Sequence, residues 1–287
     1  MIHAATAPWW IWPLALFAVS FAIGIFAVLG GIGGGVLFVP IVGGFFPFHL
    51  DFVRGAGLVF ALSGTLAAGP TLLRNGMASL RLVMPLALAG SVASFAGAVV
   101  GLSLPTEALQ TALGAMVIVI ALLIAISKDV YAAAAVESDA LGVALRLRGN
   151  YHDPLLGGRV DWRTHRTLAG FAAFGAIGFV GGLFGLGAGF ANVPALNLLM
   201  AAPLKVAVGS SGLIISIINS SAAWVYIQRG ALLPVLAVPA ILGVMLGSRI
   251  GARLLEVTPG PVIRRIVVIT MLLAGTRALL RGLGWWT

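Results

Sequence analysis

The sequence predicts an all-α integral membrane protein of two inverted repeats, about five helical segments each, with glycine-interrupted short helices near the midplane. Three observations predict it. Charged residues make up 9% of the 287-residue chain and apolar residues 60%, with a mean hydropathy of +1.11. A soluble domain carries roughly 25% charged residues, because its surface faces water. Several apolar stretches approach the ~20 residues that cross ~30 Å of hydrocarbon. The chain is also self-similar at a constant offset of 154 residues: Gly31-Ile-Gly-Gly-Gly-Val-Leu-Phe-Val-Pro40 aligns with Gly185-Leu-Gly-Ala-Gly-Phe-Ala-Asn-Val-Pro194. At the same shift Gly55 falls on Gly209, Gly76 on Gly230, Pro85 on Pro239, Gly97 on Gly251 and Pro105 on Pro259.

In the first half, uncharged apolar runs predict helices over about 12–30, 34–48, 53–73, 82–104 and 107–127. The second half repeats them over about 167–184, 187–202, 206–227, 232–254 and 262–281. The second member of each set is short and follows a glycine cluster, so it is a tilted span or one arm of a re-entrant hairpin. Five crossings per half place the halves in opposite orientations, as in many secondary transporters. The chain divides into a first membrane repeat, 1–127, a linker, 128–166, and a second repeat, 167–287. The linker holds Lys128, Arg146, Arg148, Arg159, Arg163 and Arg166 with five of the eight acids. By the positive-inside rule it is cytoplasmic, which puts both termini outside an inner membrane. Arg74, Arg81, Arg253, Arg264 and Arg265 agree with that orientation; Arg54, Arg229, Arg277 and Arg281 fit it less well. Residues 1–12 have no Lys or Arg ahead of their apolar run, and read as an exposed end leading into the first span.

Composition also excludes function classes. The formal charge is +9, but the basic residues lie in short clusters between apolar segments rather than on an aromatic-rich face, so nucleic acid is not expected. There is no cysteine, and His3, His49, His152 and His165 have no metal-ligand spacing. No catalytic pair stands out, so no enzyme activity, metal or cofactor is expected. Glu107, after Pro105-Thr106, suits a helix start, and Asp51 and Arg54 are spaced to pair at a helix entrance.

The chemistry concentrates at the glycines. Gly30, Gly31, Gly33, Gly34 and Gly35, and in the second half Gly181, Gly182, Gly185, Gly187 and Gly189, mark breaks, because each glycine costs a helix interior about 1 kcal/mol relative to alanine. A broken helix at membrane depth needs its freed backbone groups to face protein or a water-filled cavity. The helix that restarts offers unpaired N–H groups and a positive dipole end, both suited to an anion. The competing reading is close helix packing through Gly31-x-x-x-Gly35 and Gly185-x-x-x-Gly189. A dinucleotide loop would need a preceding strand, which the pattern lacks. Candidate substrate-binding residues are therefore Gly33, Gly34, Gly35, Gly187, Ala188, Gly189 and Asn192, joined by Ser210, Ser211, Asn219 and its counterpart Thr65. These neutral donors can line an anion path without burying a cation; interhelical hydrogen bonding is the alternative reading.

The same residues carry a resemblance. Gly30-Gly-Ile-Gly-Gly-Gly-Val-Leu-Phe-Val-Pro40, Gly182-Leu-Phe-Gly-Leu-Gly-Ala-Gly-Phe-Ala-Asn-Val-Pro194 and Ala207-Val-Gly-Ser-Ser211 are similar to the TauE/SafE family of sulfite and organosulfonate exporters, over about residues 12–282. The resemblance implies an inner-membrane permease for small sulfur-containing anions. The first half carries Gly55-Ala-Gly57 where the second carries Gly209-Ser-Ser211, so the two halves are chemically unequal. The partners expected are a small anionic substrate and the lipid bilayer; a homodimer is left open. A passive anion channel and a permease for a non-sulfur anion stay open beside the exporter.

Overall fold

The computed structural model describes residues 10–30, 34–74, 78–126, 137–153, 158–187, 189–254 and 260–285. The first half folds into α1 (Ile11–Gly30), α2 (Gly35–Phe45), α3 (Leu50–Arg74), α4 (Leu80–Ser103) and α5 (Thr106–Ile126). The linker forms α6 (Ala140–Ala144) and an antiparallel hairpin, β1 (Arg148–Asp153) and β2 (Gly158–Arg163). The second half forms α7 (Thr167–Phe184), α8 (Gly189–Pro194) running into a π-helical turn (Ala195–Leu199), α9 (Leu204–Gln228), α10 (Pro234–Leu254) and α11 (Gly260–Gly282). Among the described residues five helices are long and apolar enough to cross a membrane, while Ile11–Ala27, Gly35–Phe45 and Thr106–Leu122 are shorter apolar helices. The chain is a mostly helical, multi-pass membrane protein.

The linker departs from the all-α expectation. Its strands pair Arg148 with Arg163 and Gly149 with Trp162. Trp162 is buried, in a cluster with Leu82, Val83, Leu86, Phe174 and Met200. Asp139 accepts hydrogen bonds from Thr167 N–H at 3.0 Å and Thr167 Oγ1 at 2.6 Å, tying the linker to the first turn of α7. The Thr167 hydroxyl bond holds the Asp139 carboxyl below its ordinary range, against a smaller opposing effect of burial.

Helix ends follow sequence-level chemistry. Glu107 lies in the first turn of α5 and Pro234 opens α10, where a missing N–H costs nothing. Gly185, at φ +67°, closes α7 in the left-handed region that favours glycine. At the far end of α2, Arg277 Nε donates to Gly44 O at 2.7 Å and Arg281 Nη1 to Gly43 O at 2.8 Å, satisfying carbonyls that a helix terminus leaves unpaired.

Contacts between the halves are reciprocal. α1 packs on α10 and α4 on α7, both pairs parallel. A methyl group added at Gly97 would lie 2.0 Å from Phe179 O, and one at Gly251 would lie 2.6 Å from Ile25 O. Likewise a methyl group added at Gly24 would lie 2.9 Å from Val244 O, and one added at Gly178 would lie 2.1 Å from Gly90 O. The 154-residue offset carries each contact onto its fellow. Backbones this close exclude any side chain, so these glycines are packing residues. Gly182, predicted to be part of a break, belongs with them: it lies inside α7, with Ser94 O 2.1 Å from its added methyl position. Counterpart helices that touch run antiparallel, α3 against α9 through Thr65 and Ser216, and α5 against α11 through Gly114 and Gly275.

Candidate functional site: where two helix breaks meet

The second break predicted from the glycines is present, with Gly185–Gly187 outside any helix; of the first, residues 31–33 lie outside the described residues. α1 ends at Gly30 and α2 starts at Gly35; α7 ends at Phe184 and α8 starts at Gly189. They touch. A methyl group added at Gly35 would lie 2.0 Å from Leu186 O and 3.3 Å from Gly187 N, so backbone of one break rests on backbone of the other. Gly185 and Gly187 both have positive φ, at 67° and 65°, and let the chain turn between α7 and α8 without a Cβ penalty. At Gly34 the added methyl would meet the Phe60 ring, whose side chain stacks on Phe38 at 4.6 Å.

The walls come from α3 and α9. At Gly187 the added methyl would meet Ala61 at 2.8 Å and Asn219 Nδ2 at 2.9 Å. The predicted residues Gly34, Gly35, Gly187 and Asn219 are thus gathered at one place. Thr65 sits one turn beyond Ala61, but its Oγ1 bonds the Ala61 and Leu62 carbonyls and lies 2.9 Å from Ser216 Oγ, so it fastens α3 to α9. Ser210 is placed elsewhere: it is nine residues from Asn219, about 13 Å along the helix at 1.5 Å per residue, and its Oγ accepts from Ser79 N–H at 3.2 Å. Gly189 opens α8 with its N–H turned to Gly187 O at 2.9 Å. Gly33 and Ala188 lie outside the described residues.

Electrostatically the site is neutral and donor-rich. Leu37 N–H and Phe38 N–H both bond Gly34 O, which leaves the N–H groups of Gly35 and Val36 without an acceptor inside α2, at its positive end. Asn192, Ser211 and Asn219 are buried, and among the described residues Asn192 Oδ1 and Nδ2, Asn219 Oδ1 and Nδ2, and Ser211 Oγ have no hydrogen-bond partner. Each such orphan costs about 1–3 kcal/mol; Asn219 lies against Gly187 and so points to a polar occupant at the junction, whereas Ser211 is eight residues from Asn219, about 12 Å along α9. Among the described residues no group of histidines and carboxylates is arranged to hold a metal.

One residue read only as an entrance ion pair does more. Arg54 is fully buried: Nη1 donates to Asp51 Oδ1 at 2.8 Å and Gly101 O at 3.1 Å, and Nη2 donates to Leu183 O. Its guanidinium lies 5.2 Å from the Tyr226 ring, and Tyr226 donates to Gly182 O at 3.2 Å. Two side chains from α3 and α9 therefore hold the end of α7 immediately before the second break. The signal available in sequence was a lone arginine within an apolar helix, at a position where the repeat has Val208.

The family described as sulfite exporter TauE/SafE matches residues 16–278. A relative described as "Probable membrane transporter protein YunE", from Bacillus subtilis (strain 168), is 29% identical over 120 residues, 42% of this chain and 44% of the relative. The match thus spans less than half of that protein's length. No solved structure matches.

Proposed function

The chain belongs to the sulfite exporter TauE/SafE family, and from that premise we propose that it is a membrane transporter, a secondary carrier moving a small sulfur-containing anion, such as sulfite or an organosulfonate, across the inner membrane by alternating access. The observation that carries this reading is the junction of the breaks: Gly35 against Leu186 and Gly187, with the unpartnered Asn219 amide beside them. The positive end of α2 and the Asn219 amide beside Gly187 offer an oxyanion fixed donors, and Asn192 stands one turn into α8, the helix that follows the second break. None is a cation, so the anion is held without a bound charge that would resist its release. The two halves act as opposed copies of one unit, a reading supported by the reciprocal contacts and the antiparallel counterparts α3/α9 and α5/α11. Rocking one half against the other would expose the junction to each side in turn.

The linker is read as cytoplasmic and both termini as outside. Of seventeen Lys and Arg, only Arg54, Arg229, Arg277 and Arg281 belong by sequence position to the opposite end. Three of those four bond backbone carbonyls at helix ends, so their placement answers to local chemistry and leaves the charge rule intact.

The test is flux into proteoliposomes with sulfite, sulfoacetate, sulfate, chloride and a carboxylate, with and without a pH gradient. Saturable uptake of the sulfur anions with counterflow is expected. Unsaturable conduction without counterflow would make the protein a channel, and equal uptake of the carboxylate would remove the sulfur preference.

A further inference from the structure

The linker carries a cavity of about 410 Å³, lined in part by Arg146, Arg148, Arg163, Gly142 and Glu137. Its construction departs from what stability alone would choose. α6 closes with Leu147 N–H bonded to Gly142 O at 2.9 Å and Leu147 buried, which leaves Arg146 in the left-handed region at φ 52°. Glycine is the residue that suits this position, and an arginine there is strained. One residue on, Arg148 of β1 is paired directly with Arg163 of β2, and like charges facing across a hairpin repel. Among the described residues none of the three guanidinium groups has an ion-pair or hydrogen-bond partner. A strained arginine and a repelling arginine pair thus line the same cavity, with the single Glu137 carboxylate against their three charges. A left-handed closure needs the conformation but not an arginine in it, and such strain at a non-glycine residue is a pointer to function.

We propose that this cavity binds a small dianionic oxyanion of the phosphate and sulfate class, either as the free ion or as the phosphate of an anionic lipid headgroup. Guanidinium forks match such oxygens two at a time, and an occupant neutralises the Arg148–Arg163 repulsion. The site is separate from the junction of the helix breaks. It lies at the foot of α7, because Asp139, between Glu137 and Gly142, bonds Thr167 in the first turn of that helix.

The experiment is thermal unfolding and calorimetric titration of the full chain in neutral detergent with phosphate and sulfate, against chloride at equal ionic strength. Saturable binding and a raised melting temperature with the divalent anions are expected. Arg146→Gly should melt higher than the native chain without anion, since it relieves the left-handed residue, yet bind phosphate at least tenfold more weakly; Arg163→Gln should weaken binding similarly. Asn219→Ala should leave the phosphate response in place, which separates this site from the transport site. In nanodiscs, a phosphate response equal in neutral and anionic lipid assigns the free ion, and one abolished only by anionic lipid assigns the headgroup. Equal responses in the native chain, Arg146→Gly and Arg163→Gln, or no response beyond chloride, would overturn the proposal.

Discussion

Arg54 is the residue where local and long-range readings part. From sequence it is one half of an i,i+3 pair with Asp51, and that pair exists at 2.8 Å. Its other acceptors, Gly101 O and Leu183 O, lie 47 and 129 residues away, and nothing local announces them. Arg54→Lys keeps the charge but lacks the planar fork that reaches all three acceptors. A loss of about 1–3 kcal/mol in unfolding free energy is expected, with a larger loss for Arg54→Gln, which leaves buried carbonyls unpaired. Melting curves of the purified variants check this; a native-like Arg54→Lys would show that the bridge to α7 is unimportant. Asn192, Ser211 and Asn219 stand out in sequence as polar residues in apolar helices, and the structure buries all three without a hydrogen-bond partner among the described residues. Ser210 and Thr65 were chosen on the same ground, but their hydroxyls serve Ser79 and Ser216, partners that only the packed structure supplies.

At the scale of elements, the ten predicted membrane segments were legible within a few residues because apolar runs and glycine or proline punctuation mark them, though the second short one divides into α8 and a π-helical turn. The hairpin was not. β1 is Arg-Gly-Asn-Tyr-His-Asp, a polar strand without hydrophobic alternation, and the side chain that ties the hairpin to the core is Trp162, opposite Gly149 and buried in a cluster with Leu82 and Phe174. Glycines also serve two purposes that sequence does not separate, some opening a break and others admitting a neighbouring backbone. Gly97→Leu should prevent α4 from seating on α7, with overpacking costs of at least about 1–3 kcal/mol; normal yield and melting temperature would contradict that. Asp139→Asn should weaken the tie between linker and α7. The folded carboxyl sits below its ordinary value of 3.8. Its stabilising effect is therefore complete above that value and is lost as pH falls through the folded one. The stability gap between native chain and Asp139→Asn, measured against pH, should be constant near neutrality and close in acid; a gap that widens in acid would refute the assignment.

For the whole molecule, the 154-residue offset in sequence reappears as reciprocal backbone contacts, Gly24–Val244 with Gly178–Gly90 and Gly97–Phe179 with Gly251–Ile25. The offset was readable because both halves carry glycines at matching positions. The meeting of the breaks was not, since no spacing rule states that Gly35 faces Leu186. If the halves are opposed and the linker is cytoplasmic, a reporter fused after Thr287 should be active only outside the cytoplasm, and cytoplasmic activity would reverse the orientation. The central claim is that an oxyanion occupies the junction and is held by its orphaned amides. Calorimetric titration of sulfite into purified native chain and into Asn219→Leu tests it most directly. The account predicts that Asn219→Leu melts no lower than the native chain, having lost a buried unpaired amide, while binding sulfite at least tenfold more weakly; native-like affinity in that stable variant would contradict it.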